Sequence, residues 1–447
     1  MEPSFFRATT AATPSLTTFY RPTGNASPCT IPATMAKPPV AAPSSKTWAL
    51  AFSPGITPSP MKSHLQTRRD FIAISSTAKT KTLSVLLFGG SKKGAITMDN
   101  LKVGIIGLGG IARSHCDAIE TLNNVEIVAV ADLIEEKRRE YMGKYDIPKS
   151  YPSHTDLLKD PEIDAVAITL GHQLHQRLTV DACNAGKHVL VEKPMAISLE
   201  QCDNMVTAAA DNGVKLMVGL TQHYYGTSIK AKEILDSGAL GPIITAVCYM
   251  SKNWSYAGRR PQYRSRYHGG GMWLTNGVHV VDRLTWMIGS QAVSVSASIG
   301  TRAHYQAADD SATAFVRYKN GLAGIAVAVG FADGAPDHEC QVICANGTLR
   351  FSEHGGKYVK VGKNDQWENV PFDEPPSTMH NEWKAFAEAI ALDIEPPTHG
   401  EWARHIMEIL FAAEQSAITG QEVALESGPG WFNQRSGSPV TTQHGWI

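Results

Sequence analysis

Two side chains in this sequence have the type and the setting to move a proton: a lysine and a histidine. Lys193 closes the run Gly186-Lys187-His188-Val189-Leu190-Val191-Glu192-Lys193-Pro194, an apolar strand ending in Glu-Lys-Pro. The carboxyl end of a buried strand is where open α/β sheets bind their ligands. A cation there can donate a hydrogen bond to a substrate oxygen, and Pro194 restricts how it is presented. Taken alone, the lysine reads equally well as a surface residue opening a loop. His279 lies in Gly269-Gly270-Gly271-Met272-Trp273-Leu274-Thr275-Asn276-Gly277-Val278-His279-Val280-Val281-Asp282, three glycines running into a helical pattern. Thr275, His279 and Asp282 fall at i, i+4 and i+7, on one helix face. An imidazole on a rigid helix suits proton transfer near neutral pH, and Asp282 is placed to orient it. The alternative is a core helix carrying one satisfied histidine.

A third segment indicates what these groups would act beside. Lys102–Ala112 reads as a strand, a glycine-rich turn and the first turn of a helix, with Gly107, Gly109 and Ala112 spaced G-x-G-x-x-A. Gly107 permits the tight turn, Gly109 lets a pyrophosphate approach the backbone, and Ala112 lets the helix pack close. The anion would sit on free N–H groups at the helix N-terminus. A second apolar strand, Glu126–Ala131, ends in Asp132, whose carboxylate would accept ribose hydroxyls and repel a 2′-phosphate. Leu133 and Ile134 follow, with no adjacent cation, so NAD is favoured over NADP. The alternative is an ordinary strand-turn-helix with a surface aspartate.

The elements that must hold these residues follow from periodicity. Apolar strands at Val103–Gly107, Glu126–Ala131, Ala165–Thr169, His188–Glu192 and Leu216–Leu220 alternate with helical stretches such as Gln176–Ala185 and Leu199–Asn212. Continuous rather than alternating apolar strands imply burial on both faces. The expectation is an α/β doubly wound Rossmann domain over residues 98–221. Beyond it, strand-like segments run from Ile243–Ser251 to Tyr358–Val361 with Lys319-Asn320-Gly321 and Ala345-Asn346-Gly347 turns. Helical segments precede and follow them. This predicts an α+β domain over 222–428 with a mostly antiparallel open sheet. Its uncovered face suggests a homodimer or homotetramer. A C-terminal tail, 429–447, shows no periodicity.

Composition narrows the partners. Basic and acidic residues nearly cancel, 41 against 42, so nothing favours nucleic acid or an anionic membrane. No apolar run is long enough for a membrane span. Seven scattered cysteines without a C-x-x-C pair argue against a disulfide framework or a structural zinc site. Residues 1–97 are Ser-, Thr-, Pro- and Ala-rich with only Glu2 and Asp70 acidic, which predicts a disordered or targeting extension. Thr67-Arg68-Arg69-Asp70-Phe71-Ile72 resembles a twin-arginine export motif. The compartment therefore stays open: cytoplasmic if translation starts near Met98, exported or organellar if the extension is retained.

Together the G-L-G-G-I-A turn, the Gly186–Pro194 run and G-G-G followed by G-V-H-V-V-D resemble the glucose–fructose oxidoreductase / inositol dehydrogenase (Gfo/Idh/MocA) family, over about residues 101–428. The resemblance implies that Lys193 and His279 are catalytic and flank the substrate hydroxyl. It implies a cofactor-binding set of Gly107, Gly109, Gly110, Ile111, Ala112, Asp132, Thr169, His175, Glu192 and Lys193. The substrate side would comprise Lys193, Tyr224, Asn253, Trp254, Arg264, Thr275, Asn276 and His279. The family often carries an aspartate four residues before the histidine; Thr275 stands here and cannot act as a carboxylate. His172-x-x-His175 permits a metal pair, but no Cys, Asp or Glu ligand lies nearby in sequence, and cofactor lining is the favoured role for His175. The resulting expectation is an NAD-dependent dehydrogenase acting on a secondary hydroxyl of a cyclic polyol, sugar, sugar acid or cyclic diol. Arg259, Arg260, Arg264 and Arg266, crowded before the glycine triplet, suggest an anionic substrate. The rival readings are an exported oxidoreductase or glycosidase that recycles tightly bound NAD(P), and a non-catalytic NAD-sensing regulator.

Overall fold

The computed structural model describes residues 100–254 and 261–426, and the backbone of two short antiparallel strands, β1 (Ile72–Ser75) and β2 (Ser84–Leu87), paired Ile72 to Leu87. The remainder of the 1–97 extension, with its Arg68-Arg69 pair, and the 429–447 tail lie outside the described residues.

Six strands form the first sheet: β3 (Leu101–Ile106), β4 (Val125–Ala131), β5 (Lys149–Tyr151), β6 (Ala165–Ile168), β7 (His188–Val191) and β8 (Leu216–Val218). Every pairing is parallel, in the order β5-β4-β3-β6-β7-β8. The helices α1 (Gly110–Ile119), α2 (Glu135–Tyr145), α3 (His154–Leu158), α4 (His175–Asn184) and α5 (Leu199–Asp211) intervene. Chain order reverses between β3 and β6, so a ligand crevice opens beyond their carboxyl ends. The apolar strand runs are buried as expected; Val103, Ile105, Ala165 and Leu190 are inaccessible. The three-residue β5, with α3 behind it, escaped the sequence reading because so short a segment carries no periodicity.

The chain then runs through α6 (Gly226–Asp236), β9 (Ile243–Asn253), α7 (Val278–Ile288), β10 (Ala292–Gly300), β11 (Ser311–Tyr318), β12 (Ala323–Phe331), β13 (Asp337–Cys344), β14 (Gly347–Ser352), β15 (Tyr358–Lys363), β16 (Gln366–Asn369), α8 (Thr378–Leu392), α9 (Gly400–Thr419) and β17 (Val423–Ala424). These strands make one nine-stranded sheet ordered β16-β15-β14-β13-β9-β12-β11-β10-β17, in which β9 and β12 pair in parallel and all other neighbours are antiparallel. Along β11, Ala312, Ala314 and Val316 are buried while Thr313, Phe315 and Arg317 face outward. Phe315 and Ile343 are each 37% exposed.

Two features depart from the sequence reading. First, α8 crosses back to the nucleotide side. Trp383, Phe386 and Ala387 join the core cluster of β3 and α1, and the Trp383 indole donates to His115 Nδ1 at 3.1 Å. The second domain is therefore not one continuous stretch from 222 to 428 in space. Second, two cysteines remote in sequence meet across the second sheet. Cys248 on β9 and Cys340 on β13 stand directly opposite each other, with Cα atoms 4.1 Å apart, and form a disulfide. Separated by 92 residues, they are brought together by strand pairing that sequence spacing does not display.

Candidate active site

The glycine turn is built for an anion. Gly107 has φ +93°, and a Cβ there would lie 2.4 Å from Leu170, so the turn itself needs this glycine. Gly109 and Gly110 differ: a Cβ on either meets nothing within 4 Å. Space stands open over them at the start of α1. Gly109 is the N-cap and offers no side chain, so the first N–H groups of α1 face that space. Ala112 is inaccessible against the strand, and Ile111 points outward. Asp132 anchors the far side. Its carboxylate accepts from Leu108 N at 2.8 Å and from Ile134 N at 2.9 Å, tying the glycine turn to the end of β4. In sequence it is followed by Leu133 and Ile134, with no cation adjacent. The fold brings Lys137 to 3.8 Å from the Asp132 carboxylate, and Arg138 donates to the Asp132 carbonyl at 2.6 Å. One helical turn beyond Leu133, both escape a search of adjacent residues.

Several expected cofactor residues serve the scaffold beneath the crevice. Thr169 Oγ1 donates to Gly107 O at 2.5 Å and fixes the glycine turn to β6. His175 is fully buried, its Nδ1 2.9 Å from Pro194 O and its Nε2 3.2 Å from Leu170 O, so it joins the loops after β6 and β7. His172 places Nδ1 2.9 Å from Gly269 O, joining the first domain to the glycine triplet, and burial pushes its pKa down to about 4. The His172-x-x-His175 spacing is thus taken up by backbone carbonyls. Glu192 turns inward to His115. Trp383 donates to His115 Nδ1, so the imidazole proton resides on Nε2 and is given to Glu192 at 3.0 Å. The other Glu192 oxygen accepts from Lys193 N at 3.2 Å, which fixes the backbone presenting Lys193.

Lys193 and the His279 helix meet across the crevice. Lys193 Nζ donates to Thr275 O at 3.1 Å, reaching from the end of β7 to the second domain; the Lys193–Pro194 peptide is cis. Thr275 lies in a π-helical turn, Trp273–Gly277, that leads into α7, and its hydroxyl donates to Gly271 O. His279 follows four residues later. Burial, and then the charges of Lys193, Lys252 and Arg283, hold its pKa well below the usual imidazole value. Its Nδ1 is buried without a hydrogen-bond partner among the described residues. Burial also lowers the Lys193 pKa, opposed by Glu192. Asp282 does not orient His279. Its Oδ1 accepts from the Trp402 indole at 2.8 Å and lies 2.9 Å from His223 Nε2. The extra residue in the π-helical turn changes how residues before and after it line up, which a 3.6-residue period does not foresee.

The expected substrate residues divide. Asn276 is on the π-helical turn, and Lys252 at the end of β9 donates to its Oδ1 at 3.4 Å, adding a second ammonium near His279. Arg264 ends a short 3-10 turn, Pro261–Arg264, whose carbonyls crowd the triplet: a Cβ on Gly270 would lie 2.5 Å from Gln262 O. Tyr224 is a core residue, 4% exposed, with its hydroxyl 3.4 Å from Thr398 Oγ1. Trp254 is 1% exposed and packs over Gly330, and Asn253 donates to Ala332 O at 3.3 Å. Tyr224 and Trp254 thus lie in the core, where residue type suggested a pocket wall, while Asn253 stays exposed at the end of β9. Arg266 grips Glu414 in a bidentate pair at 2.6 and 2.7 Å, and Arg259 and Arg260 lie outside the described residues. Among the described residues no cluster of metal-ligating side chains occurs.

Comparison with known proteins places the chain in a family. Residues 101–220 match the oxidoreductase family profile with an NAD-binding Rossmann fold, and residues 228–350 match the GFO/IDH/MocA C-terminal domain. The trans-1,2-dihydrobenzene-1,2-diol dehydrogenase of Macaca fuscata fuscata is 29% identical over 226 residues, covering 50% of this chain and 66% of that protein, just under two thirds. The 1-carboxy-3-chloro-3,4-dihydroxycyclo hexa-1,5-diene dehydrogenase of Comamonas testosteroni is 28% identical over 52% of this chain and 58% of its own length. Among solved structures, the WlbA dehydrogenase from Bordetella pertussis, in complex with NADH and UDP-GlcNAcA, superposes with a TM-score of 0.65 at 23% identity, covering 73% of this chain and 98% of that one. With both profiles matched in sequence order, residues 101–220 and then 228–350, this chain belongs to the Gfo/Idh/MocA family of NAD-binding oxidoreductases.

Proposed function

We propose that this protein is an NAD-dependent dehydrogenase oxidising a secondary hydroxyl of a cyclic polyol, sugar, sugar acid or cyclic diol. The observation that carries the reading is the Lys193–Thr275 bridge, which sets an ammonium from the nucleotide domain one helical turn from the His279 imidazole. The open space over Gly109 and Gly110, the uncapped start of α1 and the carboxylate of Asp132 suit a dinucleotide. Bound there, NAD supplies the hydride acceptor. His279 takes the hydroxyl proton. Its depressed pKa keeps it neutral and able to accept one, and no carboxylate at position 275 opposes this. Lys193 offsets negative charge building on the same oxygen, an effect strengthened where water is excluded. The test is NAD reduction across inositols, sugars, sugar acids and cyclic diols with the unmodified protein, Lys193→Ala and His279→Ala. Reduction that neither substitution slows refutes the assignment.

Within that class we favour an anionic substrate. Lys193 and Lys252 both act on His279, and Arg264 sits in the turn against the triplet. The Comamonas relative is named for a carboxylated diol. Matched neutral and carboxylated substrates, compared in the unmodified protein and Arg264→Ala, decide it. The anionic reading fails if the carboxylate confers no kcat/KM advantage that the substitution removes.

A further inference from the structure

The helix bearing Thr275, Asn276 and His279 begins without a cap of its own: Met272, at its N-cap position, contributes no side-chain hydrogen bond. Four N–H groups at such an end need partners. Two come from a single residue far along the chain. Asp309, in the loop before β11, accepts Met272 N on its carbonyl at 2.9 Å and Trp273 N on Oδ2 at 2.6 Å. Its other oxygen, Oδ1, lies against Gly271, where a Cβ would be 2.1 Å away. Gly271 also has φ +100°. The third glycine therefore does more than turn the chain, since it admits the Asp309 carboxylate to the helix end.

We propose that Asp309 is a positioning residue for the reaction: by holding the first amides of this helix it fixes where Thr275 O meets Lys193 and where His279 faces the crevice. The inference rests on the proposed function for its catalytic consequence, though not for its structural one. Helix ends favour negative charge at the N-terminus, so the carboxylate form holds the segment best.

Several groups surround Asp309. Glu414 on α9 repels its charge, and Arg266, paired to Glu414, opposes that repulsion. On its own loop, Gln306 Nε2 donates to the Asp309 carbonyl at 3.1 Å. Neighbouring Asp310 commits its carboxylate to the amides of Arg302, Ala303 and His304 and to the His304 ring. Burial outweighs the Trp273 amide and raises the Asp309 pKa to about 7. The helix should therefore be held firmly above neutrality and loosen as Asp309 takes a proton below it.

Asp309→Asn tests this, because the amide oxygen still accepts Trp273 N–H but does not ionise. Deuterium exchange of the 272–281 segment, corrected for intrinsic rate, is read at pH 6 and pH 8 in the full chain. The unmodified protein should exchange faster at pH 6, Asp309→Asn should show no such difference, and Asp309→Ala should exchange fast at both. In turnover, kcat/KM of the unmodified enzyme should fall about three- to tenfold as pH drops through 7, as expected for loss of a charge–dipole interaction. That limb should vanish in Asp309→Asn while NAD affinity holds. An identical pH response of exchange in the unmodified protein and Asp309→Asn overturns the proposal, as does an unchanged kcat/KM limb. The exchange pattern as described, with no NAD reduction on any hydroxylated substrate, upholds Asp309 as the helix cap and overturns the proposed function instead.

Discussion

Two glycines of the cofactor turn answer different physical demands, and the same substitution should separate them. At Gly109 the backbone has φ −91° and ψ −173°, open to any residue, and a Cβ meets nothing within 4 Å. Serine is also a favoured N-cap, since its hydroxyl accepts an N–H of the first helical turn. Gly109→Ser should leave the fold within a few tenths of a kcal/mol of the parent. The serine hydroxyl, however, takes up the space and one of the amides the diphosphate needs. Losing one charge-assisted hydrogen bond costs about 1.5–3 kcal/mol, or about 10- to 150-fold in NAD affinity. At Gly107, φ +93° and the 2.4 Å approach to Leu170 make the same change a defect of the fold. A strained backbone costs about 1–3 kcal/mol before the clash is counted, which lowers the melting temperature by a few degrees. Thermal melts and NAD titration of both variants decide it. If Gly109→Ser melts as low as Gly107→Ser, or binds NAD as the parent does, the open space is not the diphosphate cradle.

Other outcomes follow from the site. Lys193→Ala and His279→Ala should each lower turnover about 10²–10⁴-fold while NAD titration is little changed; near-normal turnover in either removes that residue from the mechanism. NAD should be preferred to NADP, and Asp132→Ala should weaken NAD and relax the preference. Equal use of both cofactors by the parent would show that Lys137 and Arg138 govern the ribose site. His172 refuses a proton until about pH 4, whereas the unfolded chain takes one near 6.5. A lowered pKa means stability present above 6.5 and lost as pH falls toward 4, about 2 kcal/mol by pH 5. Melting temperature should drop over that window and drop less in His172→Gln. We propose that the outward face of the nine-stranded sheet, with Phe315, Ile343 and Val327, packs against a second copy; Val327→Asp should shift the elution of the protein to a smaller species.

What the sequence made legible divides along a physical line. Strands buried on both faces announce themselves as apolar runs, so β3, β4, β6, β7 and β8 could be read without a structure. Lys193 and the His279 helix could be read because each lies beside a glycine or proline signal that fixes the local backbone. What stayed hidden is where side chains point and which distant atoms they meet. Tyr224 and Trp254 have the composition of a pocket wall, but the fold turns both into the core. Asp282 has the spacing to serve His279, but the π-helical turn and the arrival of Trp402 on α9 draw it to His223 instead.

Asp309 shows why the hidden part matters. An Asp-Asp pair before a strand has no motif, and its partners lie 36 and 37 residues earlier in the chain. Glycine is visible at Gly271, but the reason for it, an approaching carboxylate, is not. The site is thus held from three directions: Glu192 and His115 fix Lys193 from below, His172 secures the glycine triplet from the side, and Asp309 grips the helix end. Each contact joins segments remote in sequence. The residues we propose as reactive are legible because local backbone rules constrain them, while the residues that align them are set by tertiary contact alone. Substituting Asp309 should therefore disturb turnover more than cofactor binding, because its bonds go to the helix that carries His279, whereas the turn between β3 and α1 is braced by Asp132, Thr169 and, through His115, Trp383.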